Sequence, residues 1–275
     1  MKIQTTVFVV GVMLAGFQAK AQLSDEFAPP RANCCLINTA RGLADQLQDW
    51  NQLSRYHAAN QQLKKQPVPA NRVVFMGDSI TDFWNLEQYF PGKPYVNRGI
   101  GGQTTPQMLV RIYPDVIELK PTAMVVLAGI NDIARNTGPS TPEMIQQNIM
   151  AMTELAQHQG IKVILCSVMP VSDYPFLRAQ NAPPANPAPQ GPGGGGPPRT
   201  KMTGSHPPAD ILNLNAWMKD YAAKVKATYV DYFGAVVDER GWLKDAYSTD
   251  GLHPNAEGYK VMTVVLNAAI QKVLP

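Results

Sequence analysis

A doubly wound α/β fold, three layers around a central parallel sheet of about five strands, is the class this sequence predicts. Two patterns predict it. Short apolar runs recur along the chain, and amphipathic stretches long enough for helices lie between them. The best runs are continuously apolar, where a half-exposed strand would alternate, so both faces of each strand must be covered. The size agrees: 275 residues, 45% hydrophobic, can build a core without disulfide or metal staples.

The elements follow in chain order. Lys2, the unbroken apolar run Val7–Phe17 and Ala19-Lys20-Ala21 read as a secretory signal over residues 1–21. The run is too short to cross a bilayer, which takes about 20 residues, and no lipobox follows it. Cleavage after Ala21 would leave 254 residues and lower the net charge from +3 to +1. The expectation is an exported protein, periplasmic or extracellular, with no stable membrane insertion after signal cleavage. Residues 22–69 form an N-terminal extension. Within it, Leu43, Leu47, Trp50 and Leu53 make one apolar stripe, which predicts an amphipathic helix from Thr39 to about Lys65, ended by Pro67 and Pro69.

Residues 70–275 carry the alternation. Arg72–Met76, Tyr95–Asn97, Ala123–Ala128, Lys162–Ser167 and Thr228–Asp231 are the predicted strands. Helices are expected near 104–119, 142–158, 210–226 and 255–273. Right-handed crossovers in such a flavodoxin-like sandwich place the site at the carboxyl ends of the strands. Residues 179–209 break the pattern. They hold nine prolines and six glycines, a third of all those in the chain, with Gly193–Gly196 in a row. This stretch reads as a flexible insertion that leaves from the carboxyl end of a strand and tunes substrate access.

Composition excludes several functions. Sixteen per cent charged residues and no Lys/Arg block leave a nucleic-acid partner without electrostatic support. The three cysteines, Cys34, Cys35 and Cys166, form neither a disulfide framework nor a CxxC metal pattern, and Cys166 sits in an apolar run as a small buried side chain. No cofactor-binding glycine motif and no HExxH-type metal spacing occurs, so neither cofactor nor metal is expected.

Four short motifs carry chemistry. Gly77-Asp78-Ser79 ends the first strand where a helix begins. A serine there faces a ligand beside free helix amides, or it merely caps the helix. Asp250-Gly251-Leu252-His253 brings a carboxylate and an imidazole from one loop, as a serine's base and its orienting acid require, or it is a turn before the last helix. Of the other histidines, His57 and His158 read as solvated and His206 belongs to the insertion. Gly129-Ile130-Asn131-Asp132 follows the third strand. Its Asn amide can donate to an oxyanion or close an Asx turn. Asn97-Arg98-Gly99-Ile100-Gly101-Gly102-Gln103-Thr104 lets backbone amides approach a ligand closely. Asp78 and Asp132 read as braces bonded to backbone amides. Trp84 and Phe83, like Tyr174 and Phe176, read either as substrate-lining or as core.

The set, in this order, resembles the SGNH hydrolases, also called GDSL esterases, over roughly residues 70–275 apart from the insertion. Gly77-Asp78-Ser79 matches their first block, Gly102 their block II glycine, Gly129 to Asp132 their third block and Asp250 to His253 their last. Ile80 stands where the first block has Leu. The branch it looks closest to holds platelet-activating-factor acetylhydrolase-like proteins and carbohydrate acetyl esterases. The resemblance implies Ser79 as nucleophile, His253 as general base and Asp250 as its partner. It also implies an oxyanion hole made by Ser79, Gly102 and Asn131. The expected activity is hydrolysis of short acyl esters, acetyl on carbohydrates foremost. The alternatives are a lysophospholipase or thioesterase for longer chains, a metal-dependent hydrolase and an inactive glycan-binding module.

Overall fold

Strand ends in this protein fall within a residue or two of the apolar runs. A computed structural model describes residues 42–44, 47–181 and 200–274. The expected signal segment, Cys34, Cys35 and the centre of the Pro/Gly-rich stretch lie outside the described residues. The five strands are β1 (Val73–Gly77), β2 (Tyr95–Gly99), β3 (Ala123–Leu127), β4 (Lys162–Cys166) and β5 (Thr228–Val230). They form one parallel sheet in the order β2-β1-β3-β4-β5. The order reverses at β1, so the carboxyl ends of β1, β2 and β3 open the crevice where such sheets bind ligands.

Alternation of side chains along each strand builds two cores. Val74, Met76, Met124, Val126, Val163 and Leu165 point to one face. There they meet α4 (Thr105–Val110), α5 (Ile112–Asp115), α6 (Ile130–Ile133), α7 (Pro142–His158) and α10 (Pro208–Lys224) through residues such as Met108, Ile112, Ile130, Ile149 and Leu214. Val73, Phe75, Val125, Leu127, Ile164 and Cys166 point to the other. That face is covered by α2 (Ser79–Asp82), α3 (Leu86–Tyr89), α11 (Tyr232–Val236) and α12 (Ala256–Val273), through Ile80, Leu86, Val236, Met262, Leu266 and Ile270. Each such side chain contributes about 1.5–3 kcal/mol on burial. The result is the expected three-layer α/β sandwich. Cys166 is fully buried, and burial pushes its thiol up to about 12.

Two expectations need correction. The continuous helix over 39–65 does not form. Among the described residues 42–44 and 47–48 are helical, turns occupy Asp49–Tyr56 apart from Gln52, and α1 (His57–Lys64) follows. The Asp49 carboxylate accepts from the amides of Leu53 and Ser54 at 2.8 and 3.0 Å, and Gln52 is left-handed at φ 56°. A side chain that satisfies backbone amides in this way competes with the helix. The Pro/Gly-rich insertion is also narrower than 179–209. Helix α8 (Tyr174–Asn181) runs into it, α9 (Met202–Ser205) follows it, and α10 begins at Pro208. Buried Asp173 holds the far side, accepting from the Thr203 amide at 3.0 Å and its hydroxyl at 2.6 Å. Among the described residues no helix is long and apolar enough to cross a membrane.

Candidate active site

Ser79 stands at the carboxyl end of β1, the first residue of α2. Asp78 caps that helix: its backbone is extended and its Oδ1 accepts from the Ile80 amide at 3.0 Å. The Ser79 amide, as a first-turn amide, has no acceptor within the helix. Asp78 is fully buried and its Oδ2 has no partner among the described residues. Burial pushes its carboxyl up to about 7, against the pull of the Ile80 amide.

The Asp250–His253 loop meets this serine from the other end of the chain. His253 Nε2 lies 2.9 Å from Ser79 Oγ, and His253 Nδ1 lies 2.6 Å from Asp250 Oδ2. The other carboxylate oxygen of Asp250 accepts from the amides of Leu252 and His253 and from the Ser248 hydroxyl, at 2.9, 2.8 and 3.1 Å. Partial burial would raise this carboxyl. The His253 ring and the two amides outweigh it and hold the group well below the usual carboxylate range. Gly251 makes the turn possible. Its φ is +86°, and a Cβ there would stand 2.3 Å from the Ser172 carbonyl oxygen, whose own amide donates to the Gly251 carbonyl at 2.8 Å.

Two further loops complete the crevice. Gly102 follows β2 in the left-handed region, at φ +77°, which favours glycine. Its neighbour Gly101 lies against Ser79, since a Cβ there would be 3.7 Å from the serine Cβ. Asn131 follows β3 and is buried. Its amide is oriented by the Gln103 carbonyl, which can only accept, and its Oδ1 then accepts from Asn136 Nδ2 at 2.7 Å. One Nδ2 proton goes to the Gln103 carbonyl at 3.0 Å, and a second remains for a ligand. Asp132 accepts from the Thr105 amide at 3.0 and 2.9 Å and from its hydroxyl at 2.6 Å, tying the β3 loop to α4. Burial raises its carboxyl in spite of these bonds. Chemically, a serine hydroxyl facing an imidazole that a carboxylate orients is an activated nucleophile.

The family model of the GDSL-like lipase/acylhydrolase family matches residues 75–261, from β1 through the Asp250–His253 loop into α12. The chain belongs to the GDSL-like lipase/acylhydrolase family. Membership makes it a hydrolase of the acyl-ester class. A GDSL-like lipase structure from Bacteroides thetaiotaomicron is 34% identical, covers 82% of this chain and 100% of its own, and has a TM-score of 0.67. An acetylxylan esterase catalytic mutant from Geobacillus stearothermophilus, 17% identical over 73% of this chain and 94% of its own with a TM-score of 0.53, shares the fold. Esterase TesA of Pseudomonas aeruginosa is 33% identical over 79 residues, 29% of this chain. An uncharacterized lipoprotein of Bacillus subtilis is 30% identical over 118 residues, 36% of this chain. The matched segments span 38% and 49% of those two relatives, so the chain matches less than half the length of either.

In this GDSL-family chain the aromatic residues separate cleanly. Trp84 is core, packed among Phe75, Phe90, Tyr232 and Tyr259. Phe83 is 61% exposed, with its ring 5.3 Å from that of His253. Tyr174 is half-buried and packs edge-on against Trp242 at 5.2 Å, with Arg240 beside both rings. Phe176 is half-buried on α8. His57 and His158 are exposed. His206, set aside with the insertion, is buried instead. Its Nδ1 lies 2.9 Å from Ser205 Oγ, burial lowers its pKa, and the nearby His253 adds to that shift. The same Nδ1 also lies 3.2 Å from the Met202 carbonyl. Among the described residues no group of three or more His, Cys, Asp and Glu stands together as a metal site would need.

Proposed function

We propose that this protein is an exported serine esterase that removes short acyl groups, acetyl foremost, from alcohols that include carbohydrates. The unbroken hydrogen-bonded line Asp250–His253–Ser79 carries the reading. In this mechanism Ser79 Oγ attacks the acyl carbonyl while His253 Nε2 takes the hydroxyl proton. Asp250 holds the imidazole in the tautomer that can accept it and stabilises the imidazolium. The carbonyl oxygen becomes an oxyanion and is met by the Ser79 and Gly102 amides and the Asn131 side chain. Collapse expels the alcohol, which leaves with the proton from His253. Water, deprotonated by the same imidazole, then attacks the acyl-serine and restores Ser79.

The short-acyl reading is supported by Trp84 lying in the core and Phe83 standing exposed beside His253. The carbohydrate reading is supported by the Tyr174–Trp242 pair. Those two residues flank the segments bonded to one another and to the catalytic loop, Leu243 to Val171 and Ser172 to Gly251. The related fold of the acetylxylan esterase agrees with it. Export rests on the N-terminal signal pattern. A panel of p-nitrophenyl esters from acetate to decanoate, with acetylated xylo-oligosaccharides and with or without chelator, tests the proposal. Expected are the highest kcat/KM on acetate and no effect of chelator. A maximum at eight carbons or more would overturn the short-acyl part. The exported protein is expected to begin at Gln22 on N-terminal sequencing.

A further inference from the structure

The three oxyanion donors proposed above sit on three separate loops, after β1, β2 and β3. Strand pairing stops short of them: the ladders end at Gly77 opposite Gly99 and Leu127. Beyond that line something else must set the spacing of the loops. Arg111 lies between α4 and α5 and is completely buried. Its Nη2 donates to the Gly77 carbonyl at 3.1 Å, two residues before Ser79. Its Nε donates to Gln103 Oε1 at 2.6 Å, and its Nη1 to Asp115 at 2.9 Å. Gln103 directly follows Gly102. Its amide closes the glycine turn onto the Ile100 carbonyl at 3.3 Å, and its own carbonyl receives Asn131 Nδ2. Its Nε2 donates to the Asn51 carbonyl at 2.9 Å, in the segment ahead of α1. One guanidinium and one glutamine thus touch the loops of all three donors. A planar, fixed fork of donors suits this task in a way a flexible ammonium does not.

We propose that Arg111 and Gln103 are positioning residues that set the register of the oxyanion-binding loops, and so govern turnover and not substrate binding. The inference rests on the reading of Ser79, Gly102 and Asn131 as the oxyanion hole. An error of about 1 Å in such a site can cost about 100-fold in rate. Gln103 touches no substrate in this scheme, so its loss must pass through the donors it holds.

The test is steady-state kinetics on p-nitrophenyl acetate with full-length Gln103→Leu, Gln103→Glu, Asn131→Ala and the Gln103→Leu/Asn131→Ala double variant. Rates are normalised to Ser79 titrated with an organophosphate. Gln103→Leu is expected to lower kcat by about 10- to 100-fold with KM within twofold. Gln103→Glu keeps an acceptor for Arg111 Nε and is expected to recover most of the rate. The double variant is expected to fall well short of the product of the two single losses, since both act on the same amide. A purely structural role would lower the titratable fraction and leave kcat per titrated site intact. Full kcat per site in Gln103→Leu, or a loss carried wholly by KM, would overturn the proposal. Should Gln103→Leu fail to fold, Arg111→Lys, which keeps the charge without the fork, decides by the same criterion. A full-rate Asn131→Ala would instead overturn the reading of the hole itself, a distinguishable result.

Discussion

The Ser79 side of the crevice and the His253 side are built differently. Around Ser79 the polar groups are buried and multiply tied: Asp78, Asp132, Gln103, Asn131 and Arg111 are nearly or wholly without exposure. Around His253 the imidazole is 28% exposed and Asp250 51%, and the carboxylate is held mostly by amides and a hydroxyl of its own loop. The difference fits the proposed chemistry. Donors that meet a developing charge act through fixed geometry, because reorganisation during the reaction would cancel their benefit. A base must accept a proton, return it and let alcohol and water pass, which an exposed ring allows.

Substitutions can break this comparison in order of size. Ser79→Ala and His253→Ala are each expected to lower kcat by roughly 10⁴–10⁶-fold with the fold intact. Near-wild-type turnover in either would remove the nucleophile–base assignment. Asp250→Asn comes next, with about a 10⁴-fold loss, because an Asn can still accept from the loop amides but orients the wrong imidazole tautomer. Its thermal midpoint should stay close to wild type, which tells tautomer loss from loop collapse. On the buried side, Asn131→Ala is expected to cost about 10²–10³ in kcat, or about 2.7–4 kcal/mol, mostly without a change in KM.

An effect on stability, with none expected on the chemical step, sharpens the comparison through pH. Buried Asp78 is pushed up to about 7 from an ordinary 3.8. The folded state therefore holds this proton to higher pH than the unfolded state does. Through this group stability falls as pH rises from about 4 to about 7, by at most about 4 kcal/mol. Asp78→Asn removes that dependence and keeps the acceptor for the Ile80 amide. Urea midpoints at pH 5 and pH 8 should diverge less in the variant than in the wild type, and equal changes would show that Asp78 does not titrate there. Asp250 has the opposite sign. Its carboxyl is held low, so its contribution is present above the ordinary carboxylate pKa and is lost as pH falls below it.

What was legible in the sequence, and what was not, follows the range of the interactions. The strands were legible because burial on both faces leaves continuous apolar runs, as in Ala123–Leu127 and Lys162–Cys166. Ser79, Asp250 and His253 were legible because each sits in a short motif beside a strand or helix end. The segment Asp49–Tyr56 was misread, because its hydrophobic spacing fits a helix while the Asp49 carboxylate decides the backbone. Arg111 and Gln103 were invisible as a pair. Arg111 looks like an ordinary polar position in a helical stretch, and its partner carbonyl at Gly77 lies 34 residues away.

The clasp between Asp173 and Thr203 has a consequence for chain length. It joins the two flanks of the Pro/Gly-rich stretch with two hydrogen bonds and so fixes the start of α8 against α9, whatever length of sequence separates them. Doubling the length of a loop with anchored ends costs only about 0.6 kcal/mol. Lengthening or shortening the sequence between the two flanks is therefore expected to leave the thermal midpoint of the hydrolase nearly unchanged.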